Sequence, residues 1–170
     1  MIVRKILLLG EVGVGKTSIA RRLVYGKYGD VYAATIGVDV YRYEVTPSPR
    51  SEPFQFLVWD TDGSYGENVF RQVYARQAQA AIVVADVSRP STIETMFRLA
   101  ALFADNVPGR FFAHVVNKID LADDATMQPL QDRLVAARVP FALTSAKLGS
   151  DVTETFAKAA AEIVKLEGRA

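Results

Sequence analysis

Gly10-Glu11-Val12-Gly13-Val14-Gly15-Lys16-Thr17 follows the apolar run Ile6-Leu7-Leu8-Leu9 and precedes Ser18-Ile19-Ala20-Arg21-Arg22-Leu23-Val24. The apolar run reads as a buried strand and the segment after the glycines as a helix. Strand, glycine-rich turn and helix form the setting in which the spacing G-x-x-x-x-G-K-S/T carries chemistry. Glycines let the backbone fold tightly and come close to a ligand. Successive N–H groups then face one concavity, and the helix N-terminus adds partial positive charge. Lys16 has the reach to meet β- and γ-phosphates, and the Thr17 hydroxyl suits Mg²⁺. The stretch predicts a nucleoside polyphosphate site built from Glu11, Val12, Gly13, Val14, Gly15, Lys16, Thr17 and Ser18. By itself it does not separate ATP from GTP, or a kinase from a switch.

The chain has 170 residues, which predicts one domain, 1–170, with an adequate core. Half the residues are hydrophobic and 23% are charged, an ordinary globular balance. A net charge of +1 gives no strong field to steer it to nucleic acid or an acidic membrane. There is no cysteine, so disulfides and cysteine-ligated metals are excluded, and a reducing, cytoplasmic setting is expected. Arg4 and Lys5 lie inside the first strand, unlike the charges of a signal peptide. Position 2 is Ile, no cysteine is available for lipid, and no apolar run spans a bilayer. No autonomous membrane anchor is expected.

Residues 25–37 carry glycines without a period and read as a loop. Residues 38–46 alternate as a strand, a proline-rich turn follows, and Phe54-Gln55-Phe56-Leu57-Val58-Trp59 is the next strand, making an antiparallel hairpin. Asp60 to Gly66 leaves it as a loop, and a helix is expected from about 68 to 77. Thereafter strands at 81–85, 111–116 and 141–143 alternate with helices at 91–104, 128–137 and 152–166. Pro129 fits the first turn of the second of these helices. The pattern predicts an α/β doubly wound, mostly parallel sheet. His114, the only histidine, lies in an apolar strand and reads as a packed residue. Trp59 reads as core or as a partner contact.

Three further motifs end strands. Asp60-Thr61-Asp62-Gly63 places a carboxylate that can hold Mg²⁺ and a glycine N–H that can meet a terminal phosphate. Asn117-Lys118-Ile119-Asp120 offers a carboxylate that accepts two hydrogen bonds from guanine N1–H and its 2-amino group. Adenine lacks that donor pair, which argues against an ATPase or kinase. The Lys118 stem can lie along the base. Thr144-Ser145-Ala146-Lys147 can bring backbone N–H groups to guanine O6.

With these motifs in this order, the chain resembles the Ras superfamily of small GTPases from end to end, and most of all the Rab branch. Thr35-Ile36-Gly37-Val38-Asp39 is similar to the Rab stretch TIGVDF, and Trp59-Asp60-Thr61 is similar to WDTAGQE. The resemblance implies a six-stranded P-loop NTPase sheet with one antiparallel strand and about five helices, bound GTP or GDP, and Mg²⁺. It implies that Thr35 joins Thr17 and Asp60 at the metal, that Tyr28 stacks on guanine and that Tyr32 lies over the phosphates. It implies catalytic roles for Lys16, Thr35, Gly63 and the residue at position 64. Loops 28–37 and 60–75 would be two switches. Effectors, exchange factors and GAP-like proteins would meet residues 28–41 and 60–76.

Departures stand at the reaction centre. Ser64 replaces the water-positioning glutamine, Asp62 replaces alanine, and Val12 puts bulk where many members have glycine. Tyr65, beside Ser64, reads as a surface residue of the switch more than as a substitute in the water site. No prenylated Rab tail is expected. The expectation is a slow GTPase switch. The rival is a constitutively GTP-bound scaffold, or the G domain of a larger protein, with negligible hydrolysis.

Overall fold

Ile6, Leu7, Leu8 and Leu9 have no solvent exposure, because their strand lies in the middle of a six-stranded sheet. The computed structural model describes residues 2–29, 35–49, 51–64, 66 and 69–168. The strands are β1 (Val3–Leu9), β2 (Val38–Val45), β3 (Phe54–Thr61), β4 (Ala78–Asp86), β5 (Phe111–Asn117) and β6 (Phe141–Leu143). Their order across the sheet is β2-β3-β1-β4-β5-β6. Only the β2–β3 pair is antiparallel; the other pairs are parallel.

Side chains alternate across a strand, so an uninterrupted apolar strand needs cover on both faces. Helices α1 (Lys16–Tyr25), α2 (Pro90–Asn106), α3 (Asp124–Ala136) and α4 (Val152–Glu167) provide it. Ile6, Leu8, Ile82 and Val84 pack with Ile19 and Leu23 of α1 and Phe156 of α4. Leu7, Leu9 and Val83 pack on the other face with Met96 and Phe103 of α2 and Leu134 of α3. The doubly wound sheet expected from the sequence is the one found. No helix of the described residues is long and apolar enough to cross a membrane.

Two expectations are corrected. Of the helix expected at about 68–77, the described residues wind as a π-helical turn over Phe70–Tyr74, in which the Ala75 N–H donates to the Phe70 carbonyl at 2.8 Å. That winding turns Phe70, Tyr74 and Ala75 inward and leaves 71–73 outside. α3 begins at Asp124, four residues before the expected start, so Pro129 lies inside the helix instead of in its first turn. The Asp123 carboxylate caps it, accepting the Thr126 N–H at 2.9 Å. Trp59 is half-buried, with the Lys5 ammonium 3.7 Å from its ring centre and Tyr74 at its edge.

His114 is 2% exposed, with its ring 4.6 Å from that of Phe97, and neither ring nitrogen has a hydrogen-bond partner. Burial lowers its pKa to about 4. The unfolded chain therefore binds a proton near pH 6.5 that the folded chain refuses until about pH 4. Stability is full above pH 6.5 and is lost as pH falls toward 4, by on the order of 2–3 kcal/mol. His114→Leu is expected to flatten thermal stability between pH 7 and 4.5. Parallel pH profiles for parent and variant would rule this out.

Candidate functional site: the phosphate and base loops

Strand register gathers the site. Leu8 pairs with Asp60, Leu9 with Val83, and Asp86 with Asn117. The carboxyl ends of β1, β3, β4 and β5 thus share one edge, where such sheets bind ligands. Gly10 to Gly15 leaves β1 there and enters α1. Gly15 has φ +103°, and a Cβ on it would lie 2.2 Å from Asn117 Nδ2. Only glycine permits that backbone and that approach.

The carbonyls of residues 10–14 in this loop are each held by a side-chain donor. Lys16 Nζ donates to the carbonyls of Gly10 and Glu11, both at 2.8 Å. Arg89 Nη2 donates to Val12 O at 2.8 Å, and Lys118 Nζ to Gly13 O at 2.8 Å. Asn117 Nδ2 donates to Val14 O at 3.1 Å. The N–H groups of residues 13–18 have no acceptor among the described residues. Unpaired amides at a helix N-terminus form an anion site. Burial lowers the Lys16 pKa to about 8; Asp60 and Asp62 oppose that, and the Arg89 charge adds to it. At neutral pH Lys16 remains mainly a cation.

Beside this loop three oxygens converge. Thr17 Oγ1 lies 2.8 Å from Thr35 Oγ1 and 2.5 Å from Asp60 Oδ2, and Thr35 Oγ1 lies 3.5 Å from the same carboxylate oxygen. Asp60 is fully buried and its Oδ1 has no partner. Burial pushes its carboxyl above the usual range, against the Thr17 hydrogen bond and the Lys16 charge. Two hydroxyls and a buried carboxylate with a spare oxygen fit the oxygen preference of Mg²⁺.

A cleft of about 260 Å³ runs along these groups, lined by Gly13, Lys16, Thr17, Ser18, Tyr28, Thr35 and Lys118 among others. Val12 and Asp62 also line it. Val14 points into the core, and the Glu11 carboxylate turns away to accept a hydrogen bond from the Thr95 hydroxyl of α2. Gly63 has φ +83°, and a Cβ there would lie 2.5 Å from the Gly10 carbonyl, so the loop after β3 sits on the phosphate loop. Ser64 is exposed, and its N–H donates to Asp62 Oδ1 at 3.0 Å. Asp62 N–H donates to the Gly37 carbonyl at 3.0 Å, joining the loops that precede β2 and follow β3. Tyr32 and Tyr65 lie outside the described residues.

At the base end Asp120 is exposed, and its carboxylate accepts a hydrogen bond from the Ser145 hydroxyl. Asn117 Oδ1 accepts the Ala146 N–H at 3.1 Å. The Thr144 and Ser145 N–H groups pair with Val116 and Ser150 carbonyls. Of the four amides at 144–147, the Lys147 N–H alone lacks an acceptor among the described residues. Two neighbours carry no motif signal in the sequence, Arg89 and the buried Asp86 that pairs with it. Their only advance mark is that a strand ends at one and a helix starts just after the other.

The fold and the loop between β1 and α1 define a P-loop nucleotide-binding protein. The Ras family model matches residues 5–165. The chain is 31% identical over 174 residues to the Ras-related protein RABG3f of Arabidopsis thaliana, covering 95% of this chain and 82% of that protein. It is 32% identical over 164 residues to the Ras-related protein Rab-5A of Dictyostelium discoideum, covering 95% and 81%. The chain belongs to the Ras family, the small GTPases.

Proposed function

We propose that residues 1–170 act as a single G domain, a guanine-nucleotide switch that uses Mg²⁺ and hydrolyses GTP slowly. The observation that carries the reading is the meeting of Thr17, Thr35 and Asp60 beside the unpaired amides of 13–18. Thr35 comes from the loop before β2, Asp60 from the end of β3, where the second loop begins, and Thr17 from the first turn of α1. A group bound there holds both loops at once, and losing a phosphate contact releases them. Bound Mg²⁺ would neutralise charge on the β- and γ-phosphates. The chain's own part is positioning: Lys16 and the loop amides hold phosphates, Tyr28 and Lys118 flank the base, and Asp120 with the Lys147 N–H reads it. Ile36, 95% exposed beside Thr35, and Val40 of β2, 47% exposed, are the surface a partner meets.

Thermal shift tests the reading. GTP and GDP with Mg²⁺ should raise the melting temperature and ATP should not, since a ligand stabilises the state it binds. EDTA should erase most of the rise. Equal shifts with ATP and GTP would reject guanine selectivity.

Slow turnover follows from Ser64, whose exposed side chain is too short to do what glutamine does, and from the extra charge of Asp62. Single-turnover hydrolysis should be on the order of 10⁻⁴ s⁻¹ or below. Ser64→Gln should raise it roughly tenfold, which is about 1.4 kcal/mol of barrier. An unchanged rate in that variant would clear Ser64 of blame. No detectable turnover in either would favour the constitutively GTP-bound scaffold.

A further inference from the structure

Four side chains donate to the carbonyls of residues 10–14, and three of them, Lys16, Asn117 and Lys118, belong to the motifs already described. The fourth is Arg89, from the turn between β4 and α2. We propose that Arg89 is a positioning residue for the nucleotide: by bridging from the buried Asp86 carboxylate to the Val12 carbonyl, it keeps the phosphate loop in its anion-receiving shape and sets how long guanine nucleotide stays bound. This deepens the proposed function and rests on it.

The turn is built to aim this side chain. Pro90 follows Arg89 and confines it to extended backbone, φ −127° and ψ 92°. Arg89 N–H donates to the Asp86 carbonyl at 3.0 Å, and Thr92 Oγ1 donates to the Arg89 carbonyl at 2.7 Å. Asp86 is 2% exposed at its side chain and accepts four hydrogen bonds. Its Oδ1 takes the Ser88 N–H and hydroxyl; its Oδ2 takes Arg89 Nε at 3.3 Å and Lys118 Nζ at 2.6 Å. Burial opposes its charge, and the Lys118 and Ser88 hydrogen bonds outweigh that, holding the carboxyl below the usual range. One buried carboxylate thus fixes two cations, and each passes a hydrogen bond to one of two successive loop carbonyls.

The consequence concerns the peptide between Val12 and Gly13. Without a donor on Val12 O, that peptide is free to rotate. Its carbonyl dipole can then face the cleft, where phosphate oxygens would meet the wrong sign of charge. The guanidinium meets two acceptors with two different nitrogens in fixed directions, which a single ammonium does less well. The Arg89 side chain is 41% exposed, so filling the core is not its role.

The test uses the full chain with Mg²⁺, loaded with a fluorescent GDP and chased with excess unlabelled GDP. Arg89→Ala should release it roughly tenfold faster, the size of losing one charged hydrogen bond. Arg89→Lys should fall between variant and parent. The melting temperature without nucleotide should stay within about 2 °C of the parent, which separates positioning from general support. Release from Arg89→Ala at the parent rate overturns the inference. So does a fall in melting temperature that is equal with and without GDP while release is unchanged. If Arg89→Ala does not fold, Arg89→Lys decides: threefold faster release or more supports the role, and the parent rate ends it. A parent that cannot retain GDP sinks the proposed function as well, whereas a parent that retains it beside an unaffected variant sinks this inference alone.

Discussion

Asp120→Asn is expected to lower GDP affinity roughly 10³-fold and to turn preference toward xanthine nucleotides. The carboxylate can accept two N–H groups from guanine, and charge-assisted bonds of that kind contribute about 1.5–3 kcal/mol each. An asparagine amide presents a donor to one of them, so one bond is replaced by a clash of donors. Xanthine has a carbonyl where guanine has its amino group, and that carbonyl accepts from the new amide. The fold should not feel the change: asparagine keeps the oxygen that accepts from the Ser145 hydroxyl, and the residue is exposed. Titration calorimetry with GDP and XDP on the nucleotide-free variant measures both effects. A GDP affinity within threefold of the parent would mean that Asp120 does not read the base.

Gly15→Ala is expected to cost both stability and nucleotide. The added Cβ would lie 2.2 Å from Asn117 Nδ2, on a backbone with φ +103°. Asn117 is 1% exposed and cannot swing into solvent. It holds Val14 O, the Thr144 hydroxyl and the Ala146 N–H, so displacing it loosens the phosphate loop and base loop together. Three hydrogen bonds at about 1 kcal/mol each, plus left-handed strain, give a loss on the order of 4 kcal/mol. GDP affinity should fall by about 10² or more, because both ends of the ligand lose their support. Denaturant melts of Gly15→Ala, Asn117→Ala and the double variant identify the cause. If the clash with Asn117 is the mechanism, the double variant is little worse than Asn117→Ala alone. Simple additivity would refute that mechanism.

The sheet, and the loops that gather at its carboxyl edge as the candidate site, could be read in advance because each depends on short spacings. Ile6 to Leu9 is apolar throughout, so a strand covered on both faces was foreseeable, and the following glycines, Lys16 and Thr17 give the phosphate loop its mark. Asp60 and Asn117-Lys118-Ile119-Asp120 stand where strands stop. The π winding at Phe70–Tyr74 was not legible, since it is decided by which side chains reach the Leu7 and Leu9 side of the sheet. The α3 start carried a readable cap in Asp123, outweighed by the pull of Pro129 toward a first turn. Arg89 had no spacing to betray it. It acts on a backbone carbonyl 77 residues away, and a carbonyl leaves no trace in a residue's identity. The engagement of the Ala146 N–H by Asn117 was hidden for the same reason.

The central place of β1 has a consequence for the order of manufacture. β1 pairs with β3 on one side and β4 on the other, through Val3 with Gln55 and Leu9 with Val83. A chain emerging from the ribosome therefore presents Ile6 to Leu9 long before either neighbour exists. Loops of that length close at an entropic cost before any pairing repays it, which makes such sheets slow to fold. Until about residue 83 is free, Ile6 to Leu9, which the finished protein buries completely, lack their second neighbour and stand open to aggregation.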